Sequence, residues 1–418
     1  MRWPSVEVDA AGSVILGAHF IGAIDLGAGP IPEDEEAVGR WRVFLAKYDG
    51  PCALAWDVVI SGDGEIQDLA STPDADGGVI AAGSFFGTLD FGGTTLEATY
   101  GIEAVADVLY QTTDLFVARY SPEGALLWAR RFGDDAYQRA HDVAITDADE
   151  VIVVGGVRGT VDLGNDVIIA DERYDGLLAQ FTADGEHAWH HTFSAPADVG
   201  IFAVDVSAGG LLSISGLAAS GVDFGGGPLD VVDETYEYLA QFEPSGEHRW
   251  SRRNLPGYEP HGLLADDDGA VYSAGTTKYV QDTPRDAFVI RFDDAGELAW
   301  SRESATDGRA EGSDVALAPG GGVELAGFFE GTIDLGGGPA TAANFATDLF
   351  YARVTPKGDV SATTQLGVES YAEVRPRAHR IGPAGQRVTV GTFTGTVDFG
   401  AGPMTSGDEG EVFLRVAP

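Results

Sequence analysis

The stretch LFVARY at residues 115–120 decides the fold of this chain, because variants of it recur along the whole sequence. The copies are VFLAKY at 43–48, LFVARY at 115–120, GLLAQF at 176–181, EYLAQF at 237–242, AFVIRF at 287–292, LFYARV at 349–354 and EVFLRV at 411–416. Their last residues lie 72, 61, 61, 50, 62 and 62 positions apart. Such a period indicates a repeat architecture, in which each copy is one unit that buries its apolar faces against its neighbours.

Other residues follow the same period. A tryptophan lies eight positions after the motif, at Trp56, Trp128, Trp189, Trp250 and Trp300. A turn glycine lies four positions after the motif, at Gly124, Gly185, Gly246, Gly296 and Gly358. An upstream hairpin closes on a glycine, at Gly17, Gly83, Gly155, Gly216, Gly275, Gly327 and Gly391. An aspartate follows that glycine by seven or eight residues, at Asp25, Asp90, Asp162, Asp223, Asp282, Asp334 and Asp398.

Each repeat is predicted to hold four short strands, because runs of β-branched and aromatic residues alternate with Gly, Asp and Pro. In the third repeat we assign them to residues 142–146, 151–155, 115–120 and 125–132. The predicted fold class is all-β, a seven-bladed β-propeller of four-stranded antiparallel blades. One domain covers residues 1–418, with repeats at about 1–60, 61–132, 133–193, 194–254, 255–304, 305–366 and 367–418. The last repeat ends after its third strand. We therefore expect either an incomplete seventh blade or a natural N-terminal segment upstream of this chain.

One segment has an ambiguous pattern. Residues 102–110 read IEAVADVLY, in which Ile102, Val105 and Leu109 share a helical face while alternate residues fit a strand. The sequence leaves helix and strand open at this point.

The order of the repeat resembles a known group of proteins. The pattern DVAxxxxGxVxVxG followed by DxFVARYxxxGxLLW resembles the bacterial seven-bladed β-propeller repeat proteins with NHL-like blades. The run GTVDFGAGP at 395–403 is similar to a loop of their secreted or surface-anchored members. The resemblance covers essentially the whole chain. It implies an extracellular or cell-surface location in bacteria, and a lipid anchor on any missing N-terminal segment would fit it. It leaves the activity open, since propellers host many functions.

Composition excludes several classes of function. The chain has 66 acidic and 25 basic residues and a formal charge of −41. This charge argues against nucleic acid, because neutralising phosphates requires Lys and Arg, and it favours cationic partners. Cys52 is the single cysteine, so neither an intramolecular disulfide nor a cysteine-based metal site is predicted. No apolar run approaches 18 residues, and no membrane span is predicted.

Candidate binding residues are those that break the repeat. His141 and His261 occupy equivalent positions just before a predicted first strand. Other repeats carry Trp3, Phe202, Ser313 and Arg377 at this position. Such variation is expected of a specific site, and it is equally expected of drift. A separate candidate is an aromatic rim able to stack on sugar rings, made of Trp41, Tyr100, Tyr137, Tyr258 and Tyr279. The predicted ligand-binding residues are His141, His261, Tyr258, Tyr279, Arg377 and Trp41, on the face that carries the long loops.

Metal and cofactor signals are weak. The repeat aspartates are predicted to fix loop turns by accepting backbone N–H bonds. The acidic turns at 74–77 and 266–269 resemble the start of a calcium loop but lack its bidentate glutamate, so calcium is the less favoured interpretation. His187, His190 and His191 flank Trp189 and are interpreted as a solvated edge rather than a metal site. We therefore predict no cofactor.

The sequence predicts a surface-exposed binding or scaffold propeller that recognises a protein or a carbohydrate through its long-loop face. Two alternatives stay open. One is a lyase- or hydrolase-type enzyme with its site at the mouth of the central channel. The other is a purely structural surface repeat. No nucleophile, metalloprotease, P-loop or dinucleotide motif is present to favour the enzyme.

Overall fold

A computed structural model describes residues 2–33, 39–50, 53–105, 108–219, 221–229, 235–254, 257–277, 284–343, 346–367, 371–400, 402–407 and 411–417. These residues form strands, turns and loops, with no helix among them. They group into two compact units, residues 7–254 with Arg2, and residues 255–418 with residues 1 and 3–6. Each unit is described by itself below.

The unit of residues 7–254 contains the first four repeats. Repeat one begins with β1 (Arg2–Val8), of which residues 3–6 are grouped with the other unit, and continues with β2 (Val14–Phe20), β3 (Ile24–Asp25), β4 (Pro30–Ile31), β5 (Arg42–Asp49) and β6 (Ala53–Gly62). Repeat two has β7 (Glu65–Pro73), β8 (Val79–Phe86), β9 (Thr88–Asp90), β10 (Thr95–Glu97), β11 (Ile102–Val105), β12 (Val108–Gln111), β13 (Asp114–Tyr120) and β14 (Leu126–Phe132). Repeat three has β15 (Gln138–Ile145), β16 (Val151–Asp162), β17 (Val167–Phe181) and β18 (His187–Phe193). Repeat four has β19 (Val199–Val206), β20 (Leu212–Ala219), β21 (Thr235–Phe242) and β22 (His248–Arg253).

The unit of residues 255–418 contains the remaining repeats. Its first has β23 (Tyr258–Ala265), β24 (Val271–Thr277), β25 (Ala287–Phe292) and β26 (Leu298–Glu303). Its second has β27 (Ala305–Thr306), β28 (Ala310–Leu317), β29 (Val323–Phe329), β30 (Thr332–Asp334), β31 (Ala340–Thr341), β32 (Asp348–Val354) and β33 (Val360–Leu366). Its third has β34 (Glu373–Ile381), β35 (Arg387–Thr394), β36 (Thr396–Asp398), β37 (Pro403–Thr405) and β38 (Glu411–Ala417).

Each repeat builds one antiparallel sheet in which the long strands follow chain order. The sheets are β1-β2-β5-β6 (sheet 1, continued by β9-β10), β7-β8-β13-β14 (sheet 2), β15-β16-β17-β18 (sheet 3), β19-β20-β21-β22 (sheet 4), β23-β24-β25-β26 (sheet 5), β28-β29-β32-β33 (sheet 6) and β34-β35-β38 (sheet 7, three strands). The all-β prediction and the four-stranded antiparallel blades are confirmed. A single closed ring of seven blades stays a prediction.

The structure corrects one strand assignment from the sequence and decides a segment that the sequence left open. The strand at residues 114–120 pairs with β8 and β14, so it belongs to sheet 2, and the third strand of sheet 3 is β17. The error arose because the motif strand pairs with the hairpin that lies before it in the chain, whereas the sequence assignment groups it with the hairpin that follows it. Residues 102–105 form β11, which pairs with β12 at residues 108–111, so the described part of the segment is strand. The alternating pattern therefore decides that segment.

The repeated motif is mostly apolar, with a polar or charged residue at its fifth position, because its strand is buried on both faces. In β13, Leu115 and Val117 belong to a core shared with sheet 3, which includes Val153. Phe116 and Tyr120 point the other way, into a core shared with sheet 1. Successive residues of a strand alternate between faces, so the motif connects two cores at once.

The periodic tryptophans hold neighbouring sheets together. In sheet 1, the Trp56 indole Nε1 donates to the Pro122 carbonyl in the last turn of sheet 2, at 2.8 Å. Its ring covers Gly124 so closely that an added Cβ would lie 2.7 Å from two ring carbons. The same arrangement joins Trp128 to Gly185 and Trp300 to Gly358. We call each such pair a latch.

The periodic tryptophans differ in how far they are buried. Trp56 is buried, with 9% exposure, whereas Trp128, Trp189, Trp250 and Trp300 are partly exposed. The outer strands lie at the edge of their sheets, so one side of each ring meets solvent. Trp250 departs from the latch geometry just described, since its Nε1 donates to Gln241 Oε1 of its own sheet at 3.1 Å.

The repeat aspartates fix their loops, as predicted. Asp334 Oδ1 accepts the backbone N–H of Gly336 at 2.7 Å and that of Gly338 at 3.2 Å. Equivalent bonds to loop amides are made by Asp25, Asp90, Asp162, Asp223 and Asp398. Asp282 lies outside the described residues. The loop prediction is confirmed for the six aspartates that the structure describes.

A buried charged cluster lies between sheets 6 and 7. Glu324 binds Arg387 through two bonds, with Nη2 to Oε2 at 2.7 Å, and its Oε1 lies 3.3 Å from His379 Nε2. Burial alone would raise the pKa of Glu324, but the bonds from His379 and Arg387 outweigh it and lower that pKa to about 2. The ionised carboxylate is therefore part of the fold.

The latch predicts strong coupling between Trp56 and Gly124. Gly124→Ala places a Cβ against the indole and forces a left-handed residue, at φ 82°, to carry a side chain. We expect a loss of about 2–4 kcal/mol in the free energy of unfolding, measured by urea denaturation. Trp56→Ala alone should cost about 3 kcal/mol, and the double variant clearly less than the sum.

Gly164→Ala is the matched control for this cycle. Gly164 also has a positive φ, of 96°, but an added Cβ there would meet no atom within 4 Å. It should cost only about 1–2 kcal/mol and add independently to Trp56→Ala. Additive losses for Gly124→Ala and Trp56→Ala would contradict the latch.

The buried cluster predicts a pH-dependent loss of stability for Glu324→Gln. At pH 7 the variant leaves Arg387 and His379 without their anion and should lose about 2–4 kcal/mol. Because the pKa of Glu324 is lowered from 4.5 to about 2 in the folded protein, its contribution exists above pH 4.5 and disappears as the pH falls towards 2. The difference from wild type should shrink over that interval. Glu373→Gln, whose partner is the half-exposed Arg375, should cost under about 1 kcal/mol, and an equal loss there would contradict the prediction.

Candidate functional site

The first strands of five sheets carry a β-bulge at the same place. In β15 the ladder passes from Ala140 to Asp142, leaving His141 unpaired. The corresponding residues in β19, β23, β28 and β34 are Phe202, His261, Ser313 and Arg377. Bulges redirect side chains and are common beside active sites. The positions that the sequence placed in register are thus structurally equivalent, while their binding role stays a prediction.

The recurring hairpin glycine makes this bulge possible. A Cβ on Gly155 would lie 1.9 Å from the Arg139 carbonyl oxygen, and one on Gly275 would lie 2.1 Å from that of Glu259. The first strand approaches its partner too closely there for any side chain. The glycine repeats because this close approach repeats, also at Gly83 of sheet 2, whereas the residue displayed by the bulge differs from sheet to sheet. In sheet 2 the bulge instead falls on Gln67.

In the unit of residues 7–254, the bulge residues gather a polar and aromatic group. The His141 ring lies 5.0 Å from the Phe202 ring, and its Nδ1 lies 3.9 Å from Asp68 Oδ1. Arg139 Nε lies 3.8 Å from Asp68 Oδ2. Phe202 is 46% exposed, which is unusual for a phenylalanine. We call Asp68, Arg139, His141 and Phe202 the platform.

The charge state of the platform follows from burial. Burial lowers the pKa of His141, while the nearby Asp68 carboxylate raises it and Arg139 lowers it. The imidazole is therefore neutral at neutral pH and can both donate and accept a hydrogen bond. The hydroxyl of Ser84 donates to Asp68 rather than to His141. The platform consequently presents the carboxylate of Asp68 and the aromatic face of Phe202. The described contacts do not include one between Ser84 and His141 of the kind that activates a serine nucleophile.

In the unit of residues 255–418, His261 lies beside paired charges. Its Nδ1 is 3.0 Å from the Gly312 carbonyl and 3.7 Å from Glu311 Oε1, and Glu311 also binds Arg309 at 2.9 Å. Arg377 is exposed. The side chains of His261, Glu311 and Arg309 are thus matched with opposite charges or with a backbone carbonyl.

The aromatic residues predicted to form a rim differ in their surroundings. Tyr258 packs edge-on against Phe288 at 4.7 Å and donates its hydroxyl to Glu303; burial and this carboxylate raise its pKa to about 12. Tyr137 is buried at 7% exposure. Trp41 immediately precedes β5, the third strand of its sheet. Tyr279 lies outside the described residues. The rim interpretation is wrong for Tyr137, since its ring is enclosed.

The acidic turns hold side chains of the protein itself. Asp74 accepts the backbone N–H groups of Asp76 and Gly78 and binds Arg119 at 2.8 Å. Asp268 binds Arg291 at 2.5 Å. Within the described ranges, no group of three or more His, Cys, Asp or Glu side chains is placed to hold a metal ion. Nor do those ranges contain a helix long and apolar enough to cross a membrane.

Sequence reasoning missed a cleft of about 540 Å³ between the outer strands of sheets 3 and 4. It is lined by His191, Phe193, Asp223, Phe224 and His248, among others. Its lining includes Gly246, which lies against the rings of Trp189 and His191. No sequence signal marks it, because its lining comes from the edges of two sheets that only packing brings together.

The platform predicts a specific change in the titration of His141. Asp68→Asn removes the negative charge that favours the imidazolium, so the pKa of His141 should fall further below its ordinary value. Histidine proton shifts in an NMR pH titration measure this directly. His248, distant in sequence and influenced by Asp223 instead, should keep its pKa in the same spectra. An unchanged or higher pKa for His141 would contradict the geometry of the platform.

The chain is similar in fold to several solved structures. For the beta-propeller domain of the Trilobed protease from Pyrococcus furiosus, the TM-score is 0.45 at 7% identity, covering 99% of this chain and 93% of that chain. For the acylaminoacyl peptidase of Pyrococcus horikoshii, the TM-score is 0.45 at 9% identity, with 99% and 51% covered. For the Neurospora crassa Pan2 WD40 domain, the TM-score is 0.40 at 11% identity, with 78% and 86% covered. No protein-family model and no curated protein matches the sequence. The blade assignment therefore rests on the sheets described above.

Proposed function

We propose that this protein is a binding propeller, and that the platform recognises a basic segment of a protein partner. The observation that carries the proposal is the bulge. Packing dictates the same glycine in each repeat, yet the residue that the bulge displays is His141, Phe202, His261, Ser313 or Arg377. Residues that packing does not dictate are available for recognition.

The chemistry of the platform favours a cationic group. An exposed Phe202 face attracts Lys or Arg side chains, and Asp68 supplies a negative charge beside it. His141 contacts both residues and is neutral, so it can bond a polar group without repelling a cation. The net charge of −41 acts in the same direction, because it concentrates cationic partners near the surface.

Other parts of the sequence prediction belong to this proposal. We place the platform near the channel mouth of one seven-bladed ring, with the partner held by the long-loop face. We place the protein outside the cell or on its surface, as its resemblance to surface propellers implies. A carbohydrate ligand, stacked on Phe202, is the competing possibility that the experiment below distinguishes.

The test screens peptides and glycans in parallel. Wild-type protein is applied to an array of Lys- and Arg-containing peptides and to a glycan array, and the affinity of any hit is measured at low and high salt. We expect basic peptides to bind, with an affinity that falls as salt rises. Phe202→Ala and Asp68→Asn should each weaken binding about fivefold to tenfold, since a cation–π contact contributes about 1 kcal/mol.

A matched control is Leu127→Ala. Leu127 is 57% exposed on the outer strand β14, so it removes a similar exposed apolar side chain away from the platform. Its affinity should equal that of wild type, and all three variants should keep the wild-type melting temperature. Binding by glycans alone, or undiminished peptide binding by Phe202→Ala, would overturn the proposal.

A further inference from the structure

Two histidines on the outer strand of sheet 3 face each other. β18 runs from His187 to Phe193, and its ladder with β17 skips a residue between His187 and Trp189. This irregularity brings His187 and His190 to the same side. His187 Nε2 lies 3.2 Å from His190 Nδ1, with the ring centroids 5.2 Å apart.

The separation of these nitrogens matches what one metal ion requires. Zinc–imidazole bonds are about 2.0–2.1 Å long, and two of them at a bond angle of about 100° place the nitrogens about 3.1 Å apart. No change in the distance between the two rings is therefore needed. A hydrogen bond between the imidazoles has the same length, so the distance alone does not separate the two interpretations.

We propose that His187 and His190 bind one divalent transition-metal ion of the zinc type. Imidazole nitrogen is a preferred ligand of Zn²⁺, Cu²⁺ and Ni²⁺, whereas Ca²⁺ and Mg²⁺ prefer oxygen. Because no third His, Cys, Asp or Glu side chain of the described residues completes a cluster there, water fills the remaining positions. The site is therefore open and exchangeable, unlike a closed structural zinc site.

The surroundings favour the metal-bound form. Asp166, in the turn between β16 and β17, carries its negative charge near both imidazoles, and this charge attracts a cation. Asn165 holds the strand in place, since its Nδ2 donates to the His187 carbonyl at 3.0 Å.

The side chain of His187 is held in place by its neighbours. It is 7% exposed, and its ring packs edge-on against Phe181 at 6.1 Å. A ligand held by packing loses little rotamer freedom when the metal binds. His190 is only partly buried and gives the ion access from solvent.

The experiment titrates metal-free full-length protein with Zn²⁺ by calorimetry at pH 7. We expect one Zn²⁺ per chain, and a rise in melting temperature that follows the zinc concentration. His190→Gln should abolish both, and His187→Gln should do the same. His191→Gln is the matched control, because it removes the adjacent imidazole from the other side of the same strand and should leave zinc binding unchanged.

A second measurement locates the metal on the two nitrogens. In ¹⁵N NMR spectra of the histidines, Zn²⁺ should shift His187 Nε2 and His190 Nδ1 and leave His191 and His248 unaffected. Titration with Ca²⁺ should produce no such shift. Absence of zinc binding by wild type, equal binding by His190→Gln, or loss of binding in His191→Gln alone would overturn the proposal and leave a hydrogen-bonded histidine pair.

Discussion

Burial of both faces of every central strand is the constraint on which this structure depends. A four-stranded antiparallel sheet has two apolar faces, and neither can be covered by the sheet itself. In β13, Leu115 faces one neighbouring sheet and Phe116 faces the other. Each repeat is therefore stable only between its neighbours, so a change in one sheet is felt in the cores on both sides. Hydrophobic burial already brings neighbouring sheets together. The tryptophan latches add hydrogen bonds and ring contacts between them, and the repeat aspartates fix the loops within each sheet.

The same constraint separates the residues that repeat from those that vary. Gly155 recurs because the bulged first strand passes too close for a side chain, and Gly124 recurs because an indole covers it. The bulge residues themselves escape this requirement, since they leave the ladder and differ from sheet to sheet. His141 and Phe202 consequently contact each other at positions where packing does not require a particular residue type. Recognition in a repeat fold is expected at such positions, because function breaks a symmetry that stability maintains.

The acidic composition is used in two distinct ways. Some carboxylates stabilise the fold: Asp334 accepts hydrogen bonds from the amides of its loop, and Glu324 is buried in an ion pair with Arg387. Others leave a negative field at the surface, which attracts cations. Asp68 and Asp166 exemplify this second use, because each places its charge beside an imidazole. A protein of charge −41 can thereby offer cation sites without a dedicated acidic cluster.

The sequence by itself determined the blades, because a 2-residue alternation and a period near 60 residues are local signals that survive in every copy. It also placed His141, Phe202, His261, Ser313 and Arg377 in one register, and it predicted the role of the aspartate loops. It assigned residues 115–120 to the wrong sheet and left 102–110 undecided, since strand pairing is a contact between distant segments. Asp68 beside His141, and His187 beside His190, were decided only by the tertiary structure. A bulge and a skipped residue rotate side chains by local geometry that no periodic pattern records.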